Sequence, residues 1–119
     1  MRVLLVDDED EMITALAERL SLRGIEADWV TSGEDAITRV IEKKYDVVVL
    51  DVKMPGMSGL ETMERVQKIQ PEAKVIFLTG HGSVSDFKSC IEAGASFYLM
   101  KPTNIEILIE KMNEAIKEN

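Results

Sequence analysis

The chain has 119 residues, enough for one domain at roughly 100–200 residues per domain. Its 45% hydrophobic and 30% charged content is that of a folded globular protein and excludes a disordered chain. Acids outnumber bases 22 to 14, and the net charge of −8 repels phosphate backbones, which argues against direct nucleic-acid binding by this domain.

Residues 2–6 read as a strand, and residues 12–22 as a helix whose Ile13, Leu16, Ala17 and Leu20 share one face. Gly24 follows as a left-handed stop. Residues 26–30 form a second strand, more alternating and so nearer a sheet edge, with Trp29 read as packing. Ala36, Ile37, Val40 and Ile41 make a second helical stripe. Residues 46–50 are the clearest strand, one acid followed by Val47-Val48-Val49-Leu50, which predicts burial on both faces. Leu60, Met63, Val66 and Ile69 form a third stripe that Gln70-Pro71 breaks. Residues 74–78 are a fourth strand, and Val84, Phe87, Cys90 and Ile91 a fourth stripe that stops near Gly94. Residues 96–99 are a short fifth strand, and Ile105, Leu108, Ile109, Met112 and Ile116 complete a last helix.

Helix starts are marked by Ser32, Ser58, Ser83 and Thr103. Each has an acid three residues on, and the two pairs ending in glutamate, Ser58–Glu61 and Thr103–Glu106, fit the reciprocal capping box best. The longest apolar run, Val47 to Leu50, is far below the roughly 20 residues of a membrane span. Acids after Val6 interrupt any secretory leader, and a lone Cys90, read as a small buried hydrophobe, forms no internal disulfide. These features predict a cytoplasmic chain with no membrane partner.

Strand and helix alternate five times, so the expected fold is α/β, a three-layer doubly wound (βα)5 domain with a parallel five-stranded sheet. In such a sheet the working crevice lies beyond the carboxyl ends of the strands. The first strand is followed by Asp7-Asp8-Glu9-Asp10-Glu11, the third by Asp51, the fourth by Thr79-Gly80 and the fifth by Met100-Lys101-Pro102. Asp10 and Glu11 suit a helix N-terminus. Asp7, Asp8 and Asp51 would repel one another without a cation, and hard oxygen ligands suit Mg²⁺ or Mn²⁺. Lys101 adds a point charge, Thr79 a hydroxyl, and Gly80 room beside it. A carboxylate, a divalent ion, an ammonium and a hydroxyl suit phosphoryl transfer onto an aspartate.

Asp7-Asp8, Asp51 within Asp51-Val52-Lys53-Met54-Pro55-Gly56-Met57-Ser58-Gly59, Thr79-Gly80 and Lys101-Pro102 together resemble the receiver domains of bacterial two-component response regulators, which are CheY-like. The resemblance covers essentially the whole chain and implies a single receiver domain over residues 1–119, with the flavodoxin-like strand order 2-1-3-4-5. It implies that Asp51 accepts a phosphoryl group from the phosphohistidine of a sensor histidine kinase. Asp8, and Asp7 more loosely, would bind Mg²⁺ with the backbone carbonyl of Lys53. Lys101, before a cis bond to Pro102, would pair with the phosphoryl group. Thr79 and Tyr98 would form the switch, and the side chains of Lys53 and His81 would tune acyl phosphate lifetime.

The surface of the fourth helix, fifth strand and fifth helix would then engage an effector domain, a protein partner or a second copy. The domain would catalyse only its own phosphorylation and dephosphorylation, and so is a switch and not a turnover enzyme. Two other classes fit less well. An aspartyl-phosphate hydrolase of the haloacid-dehalogenase type wants an acid at position 53, where this chain has lysine. A flavin site wants a neutral phosphate-cradling first loop, where this chain has acids. With no output segment after Asn119, a free-standing receiver and the N-terminal part of a longer regulator both stay open.

Overall fold

A computed structural model describes residues 1–118. Five strands, β1 (Arg2–Val6), β2 (Glu26–Val30), β3 (Val47–Leu50), β4 (Lys74–Thr79) and β5 (Phe97–Met100), alternate with α1 (Asp10–Ser21), α2 (Gly33–Glu42), α3 (Gly59–Ile69), α4 (Val84–Glu92) and α5 (Ile105–Lys117). The strands form one parallel sheet in the order β2-β1-β3-β4-β5, as the resemblance implied.

β3 explains the architecture. Its four residues are all buried and point alternately to the two faces. Val48 and Leu50 meet Ala36 and Val40 of α2, Met63 and Val66 of α3 and Cys90 of α4. Val47 and Val49 meet Ile13, Ala17 and Leu20 of α1 and Leu108, Met112 and Ala115 of α5. Each large side chain so buried stabilises the fold by roughly 1.5–3 kcal/mol relative to exposure. Among the described residues no helix is long and apolar enough to cross a membrane.

Several expectations need correction. The helical stripes are narrower than their letters suggest: Ile41, Ile69 and Ile116 lie exposed at helix ends. The α4 stripe buries Cys90 alone, leaving Val84 72% and Phe87 46% exposed and Ile91 outward as well. Trp29 is not core packing; it sits on edge strand β2 and stays 41% exposed. The last two strands run one residue further than expected, because Lys101 N–H still bonds Thr79 carbonyl at 2.8 Å and extends the ladder. Thr103 does not cap α5; its hydroxyl donates to Met100 carbonyl, and Asn104 accepts from Glu106 N–H instead. The reciprocal capping box forms at Ser83–Asp86, not at the glutamate pairs. An aspartate carboxylate here reaches Ser83 N–H at 3.1 Å.

Gln70 holds the end of α2 to the end of α3. Its buried amide donates to Val40 and Lys43 carbonyls, and its oxygen accepts from Tyr45 N–H at 2.9 Å. Truncating it leaves two buried backbone groups and one partly buried carbonyl without this partner. Gln70→Ala is expected to lower unfolding stability by about 1–3 kcal/mol in urea denaturation with the slope unchanged; an unshifted midpoint would show that water replaces the amide.

Candidate functional site

Parallel strands put every carboxyl end on one rim. The registers Val6↔Leu50, Leu50↔Phe77 and Thr79↔Met100 bring residues following β1, β3, β4 and β5 side by side. Backbone bonds from Asp7 N–H to Val30 carbonyl (3.3 Å) and from Asp51 N–H to Val6 carbonyl (3.0 Å) carry the ladder one step past the strands, so these two aspartates sit on ordered backbone. Asp7 is 2% exposed, Asp51 5% and Thr79 fully buried, whereas Asp8 is open to solvent.

One carboxylate oxygen from each of Asp7, Asp8 and Asp51 lies within 4.8 Å of the other two. Lys101 reaches into the same place. Its ammonium donates to Asp7 at 2.5 Å and to Glu9 at 3.0 Å, and lies 3.8 Å from Asp51 Oδ2. Asp51 Oδ1 is buried with no hydrogen-bond partner among the described residues. A buried carboxylate oxygen with an unfilled lone pair, beside two further carboxylates, fits a hard divalent cation. The donor set matches Mg²⁺ or Mn²⁺ as well as it matches any oxygen-seeking ion.

Burial pushes the Asp7 carboxyl above its ordinary value; hydrogen bonds from Lys101 and Glu9 N–H pull it back only in part, and the nearby Asp51 charge adds to the rise. For Lys101, burial favours the neutral amine. Hydrogen bonds to Asp7 and Glu9 and the fields of Asp7 and Asp51 outweigh it, so its pKa rises and it stays charged.

Thr79 Oγ1 accepts from His81 N–H at 3.3 Å. His81 and Lys53 are exposed on flanking loops, and the Lys101–Pro102 bond is cis. Lys53 lies close enough to the α4 N-terminus for its charge to join the Ser83 hydrogen bonds in holding Asp86 below the usual carboxylate range. Tyr98, half-buried, packs edge-on to Phe87 at 5.5 Å and tilted to Phe77 at 6.2 Å. Asp7, Asp8, Asp51 and Lys101 thus converge at the rim with Thr79 at the adjoining end of β4; Lys53, His81 and Tyr98 surround them.

Sequence reasoning missed three contributors. Glu9 is the second carboxylate on Lys101; it precedes α1 but makes no side-chain cap, because the ammonium holds it. Gly59 is packed against the Asp51 carbonyl so closely that a Cβ would overlap it. Room beside Thr79 is needed at Gly82, not Gly80: a Cβ on Gly80 would meet Lys101 Cδ at an ordinary 3.8 Å. The spacing of Glu9 two residues beyond Asp7 was available as a signal, whereas close approach to a glycine is not written in sequence. A groove of about 620 Å³ runs along β2 and α2 past Trp29 and Arg39, and none of Asp7, Asp8, Asp51, Thr79 and Lys101 lines it.

The model of the response regulator receiver domain family matches residues 3–113. The chain is 33% identical over 117 residues to the chemotaxis protein CheY of Thermotoga maritima, covering 98% of both chains. It is 37% identical to the transcriptional regulatory protein TcrA of Mycobacterium tuberculosis, covering 94% of this chain and 44% of that one. The chain spans about a third to a half of the length of the longer curated relatives it matches. A response regulator from Burkholderia pseudomallei, solved with a phosphorylated aspartic acid, a calcium ion and citrate, superposes with a TM-score of 0.89 at 26% identity, covering 93% of this chain and 65% of that one.

Asp7 has a folded pKa above its unfolded value, so its charge opposes folding above the folded pKa, and that penalty fades as pH falls through it. A bound cation relieves the same penalty at neutral pH. Millimolar Mg²⁺ is expected to raise the Tm near pH 7.5 by several degrees, at roughly 4–8 °C per kcal/mol for a small domain, and by less near pH 5 where protons compete. A Tm indifferent to Mg²⁺ near pH 7.5 would remove the cation from this cluster.

Proposed function

The chain belongs to the response regulator receiver domain family, and from that premise we propose that Asp51 accepts a phosphoryl group from a sensor histidine kinase and that the charge so added switches the domain between two conformations. One observation carries the reading: a buried carboxylate oxygen of Asp51 lacks a partner among the described residues while the Lys101 ammonium lies 3.8 Å from its other oxygen. The relative with a phosphorylated aspartic acid and a metal ion supports it.

Asp7, Asp8, Asp51 and the Lys53 carbonyl would hold Mg²⁺. When bound, the ion neutralises charge on the carboxylates and the incoming phosphoryl oxygens. Asp51 forms the new P–O bond as the P–N bond of the phosphohistidine breaks. The family's part here is signalling, and the only chemistry proposed for this domain is acquisition and loss of its own phosphoryl group.

Lys101 has the reach to exchange Glu9 for a phosphoryl oxygen on Asp51 without leaving Asp7. The Thr79 hydroxyl accepts from His81 N–H, which leaves its own proton free to donate to a second phosphoryl oxygen. Contacts made only in the phosphorylated form shift the balance between two pre-existing states. Thr79 ends β4 beside β5, so the shift reaches Tyr98 and α4. The surface of α4, β5 and α5 is a fit output face, since Val84, Phe87, Ile91, Met100 and Ile107 all present apolar side chains to solvent. Readout through an effector domain, a partner protein or a second copy uses that face. The Lys53 and His81 side chains, exposed on the loops that follow β3 and β4, set how readily water removes the phosphoryl group.

Acetyl phosphate with Mg²⁺ is expected to add one phosphoryl group by intact mass, and Asp51→Asn to abolish the addition. Uptake that survives the substitution rejects Asp51 as acceptor. Lys101→Ala is expected to keep the far-ultraviolet circular dichroism of the parent and to lose the phosphorylation-driven amide shifts in α4 and β5. Shifts of parental size in that variant remove Lys101 from the switch.

A further inference from the structure

Gly82 lies in the loop between β4 and α4. Only Gly24, Gly56 and Gly94 have positive φ among the described residues, so the backbone at Gly82 is one that any residue adopts. What glycine supplies there is space. A Cβ at position 82 would overlap Tyr98 Oη and fall 2.8 Å from Tyr98 Cζ and 2.9 Å from Thr79 Cγ2. The ring of Tyr98 therefore occupies the volume that any other residue at position 82 would fill.

The seat is an unusual one for a tyrosine. Tyr98 Oη is buried and has no hydrogen-bond partner among the described residues. Leaving a hydroxyl unsatisfied is unfavourable, so what keeps the ring inward is its packing on Phe77 and Phe87. Phe87 is itself half-exposed on α4. Rotation about χ1 would return the hydroxyl to water at the expense of that packing. The two positions are thus set in opposition, and a small steric change at position 82 decides between them.

We infer that Gly82 is a positioning residue acting through Tyr98: by lacking a Cβ it holds open the inner seat of the ring beside Thr79 and so sets the fraction of molecules with Tyr98 inward. The seat itself is independent of the proposed phosphorylation; its consequence for signalling rests on that reading. With Gly82→Ala the ring is driven outward while Asp51, the carboxylate cluster and Lys101 keep their places. Uptake at Asp51 then becomes uncoupled from movement of the aromatic ring.

The test is fluorine resonance on the full chain labelled with 3-fluorotyrosine. There are two tyrosines, and Tyr45→Phe assigns the signals. In the parent the Tyr98 signal is expected to show little shift between H2O and D2O, and in Gly82→Ala a shift close to that of the urea-unfolded chain. A Tyr98 signal in Gly82→Ala as protected as in the parent overturns the inference. Should Gly82→Ala fold poorly, urea midpoints of Gly82→Ala in parental and Tyr98→Ala backgrounds decide it. A penalty that shrinks at least twofold without the ring supports action through Tyr98, and an equal penalty in both backgrounds overturns it. With acetyl phosphate and Mg²⁺, Gly82→Ala is expected to gain phosphoryl mass as the parent does while its Tyr98 signal stays at the exposed position; a signal that returns inward overturns the inference. Failure of the parent to gain mass would overturn the reading of Asp51, and the H2O–D2O comparison would still decide that of Gly82.

Discussion

Two buried carboxylates, Asp7 and Asp51, share one rim with a single ammonium, and the organisation of the site depends on that shortage of positive charge. Lys101 is closest to Asp7, next to Glu9, and farthest from Asp51. It therefore satisfies the first two and leaves the third with an unfilled oxygen. Burial raises the Asp7 pKa even with Lys101 in contact, so the pairing compensates only part of the desolvation. A site in this condition favours whatever brings positive charge to it, and a divalent ion meets that demand where a water molecule does not.

The sheet makes such crowding tolerable. β1 and β3 are central strands buried on both faces, and backbone bonds past their ends fix the two aspartates before any side chain is considered. Energy from apolar burial on both faces, supplied by residues such as Leu5, Val49 and Phe77, offsets an arrangement at the rim that would not assemble by itself.

Much of this was legible in the letters. The alternation of strand and helix, the convergence of Asp7, Asp8, Asp51, Thr79 and Lys101, and the stop at Gly24 all follow from periodicity and from the rule that parallel strands end on one side. The strand order came from the resemblance, since periodicity does not say which strands are neighbours. Trp29 and the α4 stripe were misread because hydrophobicity reports what a side chain would gain by burial, not whether the fold has a surface left to cover it. Thr103 and Asn104 are both competent caps, and the turn after Pro102 chose between them. Gly82 and Gly59 were invisible because their meaning lies in residues distant in sequence: an aromatic ring sixteen positions on, and a carbonyl eight positions back.

The thin anchorage of α4 has a mechanical consequence. A helix that commits one thiol to the interior, and otherwise rests its half-exposed Phe87 on Tyr98, has less apolar contact to lose in tilting than the helices packed on β1 and β3. Buried apolar contact is therefore unevenly distributed, dense around β1 and β3 and thin on the flank beside β5.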